Sequence, residues 1–326
     1  APIYTLAANI AQLAVLGYGI VLISHGMLTI GLLIGYLLYV TSFYNPLRQL
    51  ASVWSSLQLA LASLDRIGEV LMLESNLPVL PEGEKKGNAL LAFDRVSFAY
   101  PGAKNVLTDV SLSLEKGKTY ALVGPTGGGK TTTASLMARL YDPTAGTIYL
   151  EGCDIRTYTD HERAKKIGFI LQEPFLFSGT VRDNIVYGND ALVGCTDEEL
   201  MAHLHATNLH GLMERFSEGL GTRTSATSDA LSLGQKQLIG FMRAVLRAPD
   251  LLILDEATAN IDTVTEELLE EILEQLPKTT TKVIIAHRLN TIQSADDIFF
   301  INGGTVTEAG SMEHAVEMLL HGKRAS

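Results

Sequence analysis

Gly124-Pro125-Thr126-Gly127-Gly128-Gly129-Lys130-Thr131 has the spacing G-x-x-x-x-G-K-[ST] of a loop that holds phosphates. Glycines let main-chain N–H groups curl around anionic oxygens, and the N-terminus of a following helix adds its positive end. In such a loop Lys130 reaches the β- and γ-phosphates of a nucleoside triphosphate, and Thr131 reaches Mg²⁺. Residues 120–123 form a short apolar β-run, and the chain from Lys130 reads as a helix. Strand, loop and helix in that order are what the motif needs. A second apolar run, 251–254, ends in two carboxylates, Asp255 and Glu256. At the C-terminal edge of a parallel sheet, beside the loop, Asp255 becomes the Mg²⁺ partner. Glu256 becomes the carboxylate that polarises an attacking water.

Three further residues follow strand-like runs or stand in aromatic context. Gln172 follows the run 167–171, where its amide could contact Mg²⁺ or water and sense the γ-phosphate. His287 follows the run 282–286 and could hydrogen-bond the same phosphate. Tyr100, in Phe98-Ala99-Tyr100-Pro101-Gly102, could stack on a base. Ser232-Leu233-Gly234-Gln235 lies just before an amphipathic stretch, 236–247, expected to be a helix. A hydroxyl and N–H groups at a helix N-terminus suit an anion, yet nothing obliges that end to meet its own phosphate loop. His203, His205 and His210 lack an i, i+4 pair and read as ordinary surface residues. The run Glu266, Glu267, Glu270, Glu271 and Glu274 reads as a solvated helix face.

The elements that carry these residues occupy only part of the chain. Charged residues make up 19% of the 326, and all of them lie from Arg48 onward. Residues 3–23 and 30–44 are apolar and uncharged, separated by Ser24-His25-Gly26-Met27-Leu28-Thr29. The first segment is long enough to cross ~30 Å of hydrocarbon as a helix. Neither Lys nor Arg occurs in the break, whereas Arg48 and Arg66 follow the second segment, so the break is expected outside and the remainder in the cytoplasm. Leu50, Val53, Trp54, Leu57, Leu61, Leu64 and Val70 recur at helical spacing, which predicts that the second helix continues out of the membrane. Residues 74–89, with Pro78, Pro81, Gly83 and Gly87, read as a linker, and 90–326 as a soluble α/β unit. That unit should hold a small β subdomain near 93–123 and a helical insertion near 174–240. The net charge of −11 argues against nucleic acid as a partner. Two cysteines, Cys153 and Cys195, exclude a disulfide framework. Two helices cannot enclose a solute pathway, so the chain reads as the C-terminal part of a longer polypeptide.

Taken together, these residues resemble the ATP-binding cassette (ABC) transporters, specifically the exporter type with membrane and nucleotide-binding domains in one chain. The resemblance covers essentially the whole chain. It rests on Walker A at Gly124 to Thr131, Walker B ending at Asp255 with Glu256 next, and on Gln172, His287 and Tyr100. Ala259-Asn260-Ile261-Asp262 sits where the family has its D-loop. The resemblance implies an α-helical membrane segment followed by an ABC-type P-loop domain with β and helical subdomains. Nucleotide contacts are then expected from Tyr100, residues 124–131, Thr132, Ser232, Leu233, Gly234, Gln235 and Asp262. In the family, two such domains sandwich two ATP molecules, each signature segment meeting the phosphate held by its partner.

Two departures stand out. The family signature L-S-G-G-Q reads Leu231-Ser232-Leu233-Gly234-Gln235 here, placing a leucine where backbone approaches phosphate. Ala226, in Thr222-Arg223-Thr224-Ser225-Ala226-Thr227-Ser228, replaces an acid common in the family. A complete Walker side beside a weakened signature resembles one half of a heterodimeric exporter, with a homodimer as the alternative. The expectation is therefore ATP hydrolysis with Mg²⁺, coupled to solute export by a multi-pass inner-membrane protein. A soluble chromosome-maintenance ATPase shares the cassette but needs no bilayer segment. A membrane sensor that binds ATP without pumping is the other alternative.

Overall fold

In lipid every main-chain polar group must be satisfied within the segment, and a helix does this. The computed structural model describes residues 2–72, 77–224, 231–255, 263–285, 294–310, 314 and 317, and divides the chain into two units, Ala1–Asn76 and Leu77–Ser326. The first unit is a helical hairpin of α1 (Pro2–Ser24) and α2 (Ile30–Leu71). Both helices are long and apolar enough to cross a membrane. At 1.5 Å per residue α2 is roughly 63 Å long, about twice the thickness of a bilayer's hydrocarbon. Pro46 lies inside α2, where the second apolar run ends. Thr29 caps α2 by accepting from the Leu32 N–H. Leu33 buries against Gly19, and Gln12 Nε2 donates to Thr41 Oγ1 at 2.9 Å, tying the two helices together.

The second unit contains β1 (Leu91–Ala99), β2 (Asn105–Leu114), β3 (Thr119–Val123), α3 (Lys130–Met137), β4 (Ala145–Leu150), β5 (Cys153–Asp154), α4 (Asp160–Lys166) and β6 (Ile167–Ile170). There follow β7 (Gly179–Thr180), α5 (Val181–Val186), α6 (Asp197–Ala206), β8 (Arg223–Thr224), α7 (Leu233–Val245), β9 (Leu251–Asp255), α8 (Thr263–Gln275), β10 (Thr281–Ile285), β11 (Asp297–Asn302) and β12 (Thr305–Glu308). Six strands form a sheet in the order β12-β11-β3-β10-β9-β6, parallel except for the edge strand β12. Four more form an antiparallel sheet in the order β2-β1-β4-β5.

Alternation along β9 explains how the layers join. Leu251 and Ile253 face a core shared with Phe93, Leu107 and Leu114 of the antiparallel sheet and Leu136 of α3. Leu252 and Leu254 face the opposite way, into a core with Val181, Ile185, Leu200 and α7. The parallel sheet is thus buried on both faces, which is why its strands read as unbroken apolar runs. The antiparallel sheet differs from the expected β subdomain at 93–123. Thr119–Val123 belongs to the parallel sheet, and β4 and β5, beyond the phosphate loop, complete the antiparallel one.

Candidate nucleotide-binding site

The glycine-rich loop sits where expected, between β3 and α3. Gly129 occupies the N-cap of α3 with φ +113°, and no side chain caps that helix start. Gly124 has φ +147°, a conformation open to glycine, and a β-carbon there would collide with the Ile301 carbonyl oxygen of β11. A β-carbon on Gly128 would lie 2.7 Å from that same oxygen. The loop is therefore pressed against β11 on one side, with Pro125, Thr126 and Gly127 exposed on the other. Gly128 N–H donates to the Pro125 carbonyl at 3.0 Å, folding the loop back on itself.

Lys130 is 6% exposed, and its ammonium donates to the carbonyls of Gly124 (3.0 Å) and Pro125 (3.1 Å). The cation thus lies along the loop it would serve. Thr131 is exposed, while Thr132 is buried and its Oγ1 lies 3.2 Å from the Tyr100 hydroxyl. Tyr100 packs edge-on against Phe98 (4.9 Å) and Tyr141 (5.2 Å), which fixes its ring close to the start of α3.

Strand order sets where the carboxylate falls. Between β3 and β9 runs β10, pairing Ile285 with both Leu122 and Asp255. Asp255, 5% exposed, therefore ends its strand at the same edge as the loop but one strand removed, rather than directly beside it. Gln172 lies two residues beyond Ile170, which pairs with Leu254, so it leaves the same edge and is exposed. Glu256, Asp262, His287 and Ala226 lie outside the described residues.

The signature run differs from its expected position before a helix at 236–247. Helix α7 starts at Leu233 and ends at Val245. Ser232 is its N-cap, accepting from Gln235 N–H at 3.2 Å, while Gln235 Oε1 accepts from Ser232 N–H at 2.9 Å. That reciprocal pair is a capping box, readable from the Ser-x-x-Gln spacing. Leu233 is the first residue of the helix, so its backbone needs no glycine, and only its side-chain bulk separates it from the family pattern. Gly234 is buried behind it.

Several residues that support the site escaped sequence reasoning. Gln237 of α7, 1% exposed, donates to the Gln172 carbonyl at 2.9 Å and ties the Gln172 segment to the helix headed by Ser232. A glutamine on an otherwise apolar helix face was its only signal. Asn184, fully buried, donates to the carbonyls of Phe177 (2.9 Å) and Thr180 (3.0 Å) and to Thr224 Oγ1 (2.9 Å). Its Oδ1 accepts from Phe177 N–H and Arg243 Nη2, each at 2.9 Å. Burial pushes the Arg243 guanidinium below its ordinary pKa. This network fixes the path of the chain after Gln172.

Residues 107–259 match the ABC transporter family. An uncharacterized ABC transporter ATP-binding protein, YfiC of Bacillus subtilis, is 40% identical over 89% of this chain and 48% of its own length. A fatty acid ABC transporter ATP-binding/permease protein of Mycobacterium bovis is 36% identical over 95% of this chain and 49% of its own. A solved bacterial Atm1-family ABC exporter with ATP bound is similar with a TM-score of 0.68 and 29% identity, covering 99% of this chain and 55% of that one. The chain spans about half the length of the curated relatives it matches.

Proposed function

Because this chain belongs to the ABC transporter family, we propose that it is the ATP-hydrolysing part of a membrane exporter, with the reaction ATP + H₂O → ADP + phosphate. The observation that carries this reading is Lys130, held buried along a glycine loop at the head of α3, a helix start that no side chain caps. On binding, the ammonium exchanges the Gly124 and Pro125 carbonyls for β- and γ-phosphate oxygens, and the first turn of α3 adds its N–H groups. Tyr100 offers its ring to adenine.

The donor set at the sheet edge suits Mg²⁺: a hydroxyl from Thr131, a carboxylate from Asp255 and an amide oxygen from Gln172 are the hard oxygens this ion takes. Held by Thr131, Asp255 and Gln172, Mg²⁺ would offset negative charge on the phosphate oxygens. Glu256 accepts a proton from the attacking water, with His287 donating to the γ-phosphate and Gln172 orienting the water. Ser232, Leu233, Gly234, Gln235 and Asp262 serve the nucleotide of a second subunit, since α7 is headed by a capped N-terminus suited to an anion.

Leu233 supports a heterodimer, in which Glu256 works opposite a partner with an unaltered signature. The α1–α2 hairpin supports a multi-pass protein of the inner membrane with the α/β unit in the cytoplasm, and nucleic acid is no partner. For cargo, the relative named for fatty acids makes an acyl-chain amphiphile the first solute to test. Reconstitution of the intact transporter in sealed vesicles is the test. ATP-dependent solute movement with a co-purifying second subunit is expected. Full ATPase activity of this subunit alone refutes the heterodimer, and ATP binding without solute movement refutes the export reading.

A further inference from the structure

The last turn of α3 carries an anomaly that the nucleotide chemistry does not use. Arg139 N–H bonds to the Leu136 carbonyl (3.0 Å) and Leu140 N–H to the Ser135 carbonyl (2.8 Å). That pair of bonds is a Schellman ending, in which the residue after the C-cap takes left-handed backbone and is usually glycine. Here it is arginine, at φ +51°. An L-side chain there costs roughly 1–2 kcal/mol that glycine would avoid.

Arg139 is 1% exposed. Its Nε donates to Asp142 Oδ1 at 2.8 Å, and Nη2 donates to the Pro78 carbonyl at 2.7 Å and, more distantly, to Asp142 Oδ2. Its Nη1 reaches the carbonyls of Arg156 and Tyr158, each at 3.4 Å. Pro78 belongs to the stretch that follows α2 in the chain. That stretch is bonded twice more: Leu80 N–H donates to the Arg156 carbonyl (2.9 Å), and Lys86 N–H to the Gly152 carbonyl (2.7 Å). The Arg156 carbonyl thus receives both Leu80 and Arg139. A planar fork of donors suits three carbonyls and a carboxylate at once, where an ammonium does not.

We propose that Arg139 is a positioning residue that transmits nucleotide binding to the connector between membrane hairpin and α/β unit. The inference rests on the reading of the phosphate loop as an ATP site. Helix α3 is the transmitting rod: Gly129 and Lys130 stand at its head, Arg139 at its foot, and seven of its eight residues are buried. At 1.5 Å per residue it spans roughly 12 Å, short enough to move as one body. A displacement of its head on gripping the triphosphate moves the guanidinium, and with it the Pro78 carbonyl. The connector at 77–86 then feels the occupancy of the phosphate loop.

The test uses the intact protein in lipid, with Mg-ATP, and two variants. Arg139→Lys keeps the charge but loses the fork. Arg139→Gly suits the backbone and removes the side chain, separating the latch from the helix ending. Amide hydrogen exchange across 77–86 is read with and without Mg-ATP, beside ATP affinity and solute moved per ATP hydrolysed. In the wild type, Mg-ATP is expected to slow that exchange by at least about threefold. Both variants are expected to lose this response while ATP affinity stays within about twofold, and solute moved per ATP falls at least about fivefold. A wild type that binds ATP with no change at 77–86, variants that keep the response, or hydrolysis and transport falling in proportion all overturn the inference. Failure of the wild type to bind ATP overturns the site reading instead, and the inference falls with it.

Discussion

Replacing Asn184 by alanine should cost more than any other single polar substitution in the segment beyond Gln172. Its side chain makes the equivalent of four hydrogen bonds: its two N–H donors are shared among Phe177 O, Thr180 O and Thr224 Oγ1, and Oδ1 accepts from Phe177 N and Arg243. The site is fully buried, so water cannot replace the lost partners. At about 1 kcal/mol per net bond the sum is near 4 kcal/mol, reduced because Thr224 Oγ1 and Phe177 O keep their bond to each other. The expected loss is about 3–4 kcal/mol, which for a unit of this size lowers the melting temperature by roughly 10 °C. Differential scanning fluorimetry of the intact protein measures it. Asn184 bonds to no residue of the phosphate loop, so ATP affinity should change by less than about twofold. A melting shift below ~2 °C, equivalent to about 1 kcal/mol or less, refutes the reasoning that these bonds fix the segment.

Gly124→Ala should be tolerated least in the phosphate loop, because both its φ and the Ile301 carbonyl oppose a β-carbon; isothermal titration is expected to show ATP affinity down by at least about tenfold, ~1.4 kcal/mol. Glu151 accepts from Lys166 (2.8 Å) and Lys116 (3.2 Å), and these cations, Lys166 foremost, hold its carboxyl below the ordinary 4.5. A depressed carboxylate contributes stability that is present above its unfolded pKa and lost as pH falls through the lower folded value. Glu151→Gln should therefore melt below wild type at pH 7, with the gap closing on acidification below about pH 4; a gap independent of pH contradicts the assignment.

What sequence made legible was local. The glycine loop, the strands before it and before Asp255, and the α1–α2 hairpin each rest on spacing or hydropathy within one segment. The antiparallel sheet is not legible locally, because β1 pairs with β4 across the whole loop and α3, a contact that no local pattern announces. Helix α7 begins three residues before the amphipathic stretch does, because the Ser232–Gln235 capping box, not the hydrophobic period, marks its start. Separation of Asp255 from the loop by β10 follows from strand order, which sequence does not give. Asn184 and Arg139 look like ordinary surface-type residues until burial and backbone φ single them out.

Phosphate release by the purified intact protein, wild type against Glu256→Gln, probes the central assignment of loop and carboxylate most directly. Turnover is expected to fall by about 10²–10⁴ while Mg-ATP still binds, since only the group acting on water has been neutralised. Equal turnover in the two proteins contradicts the account.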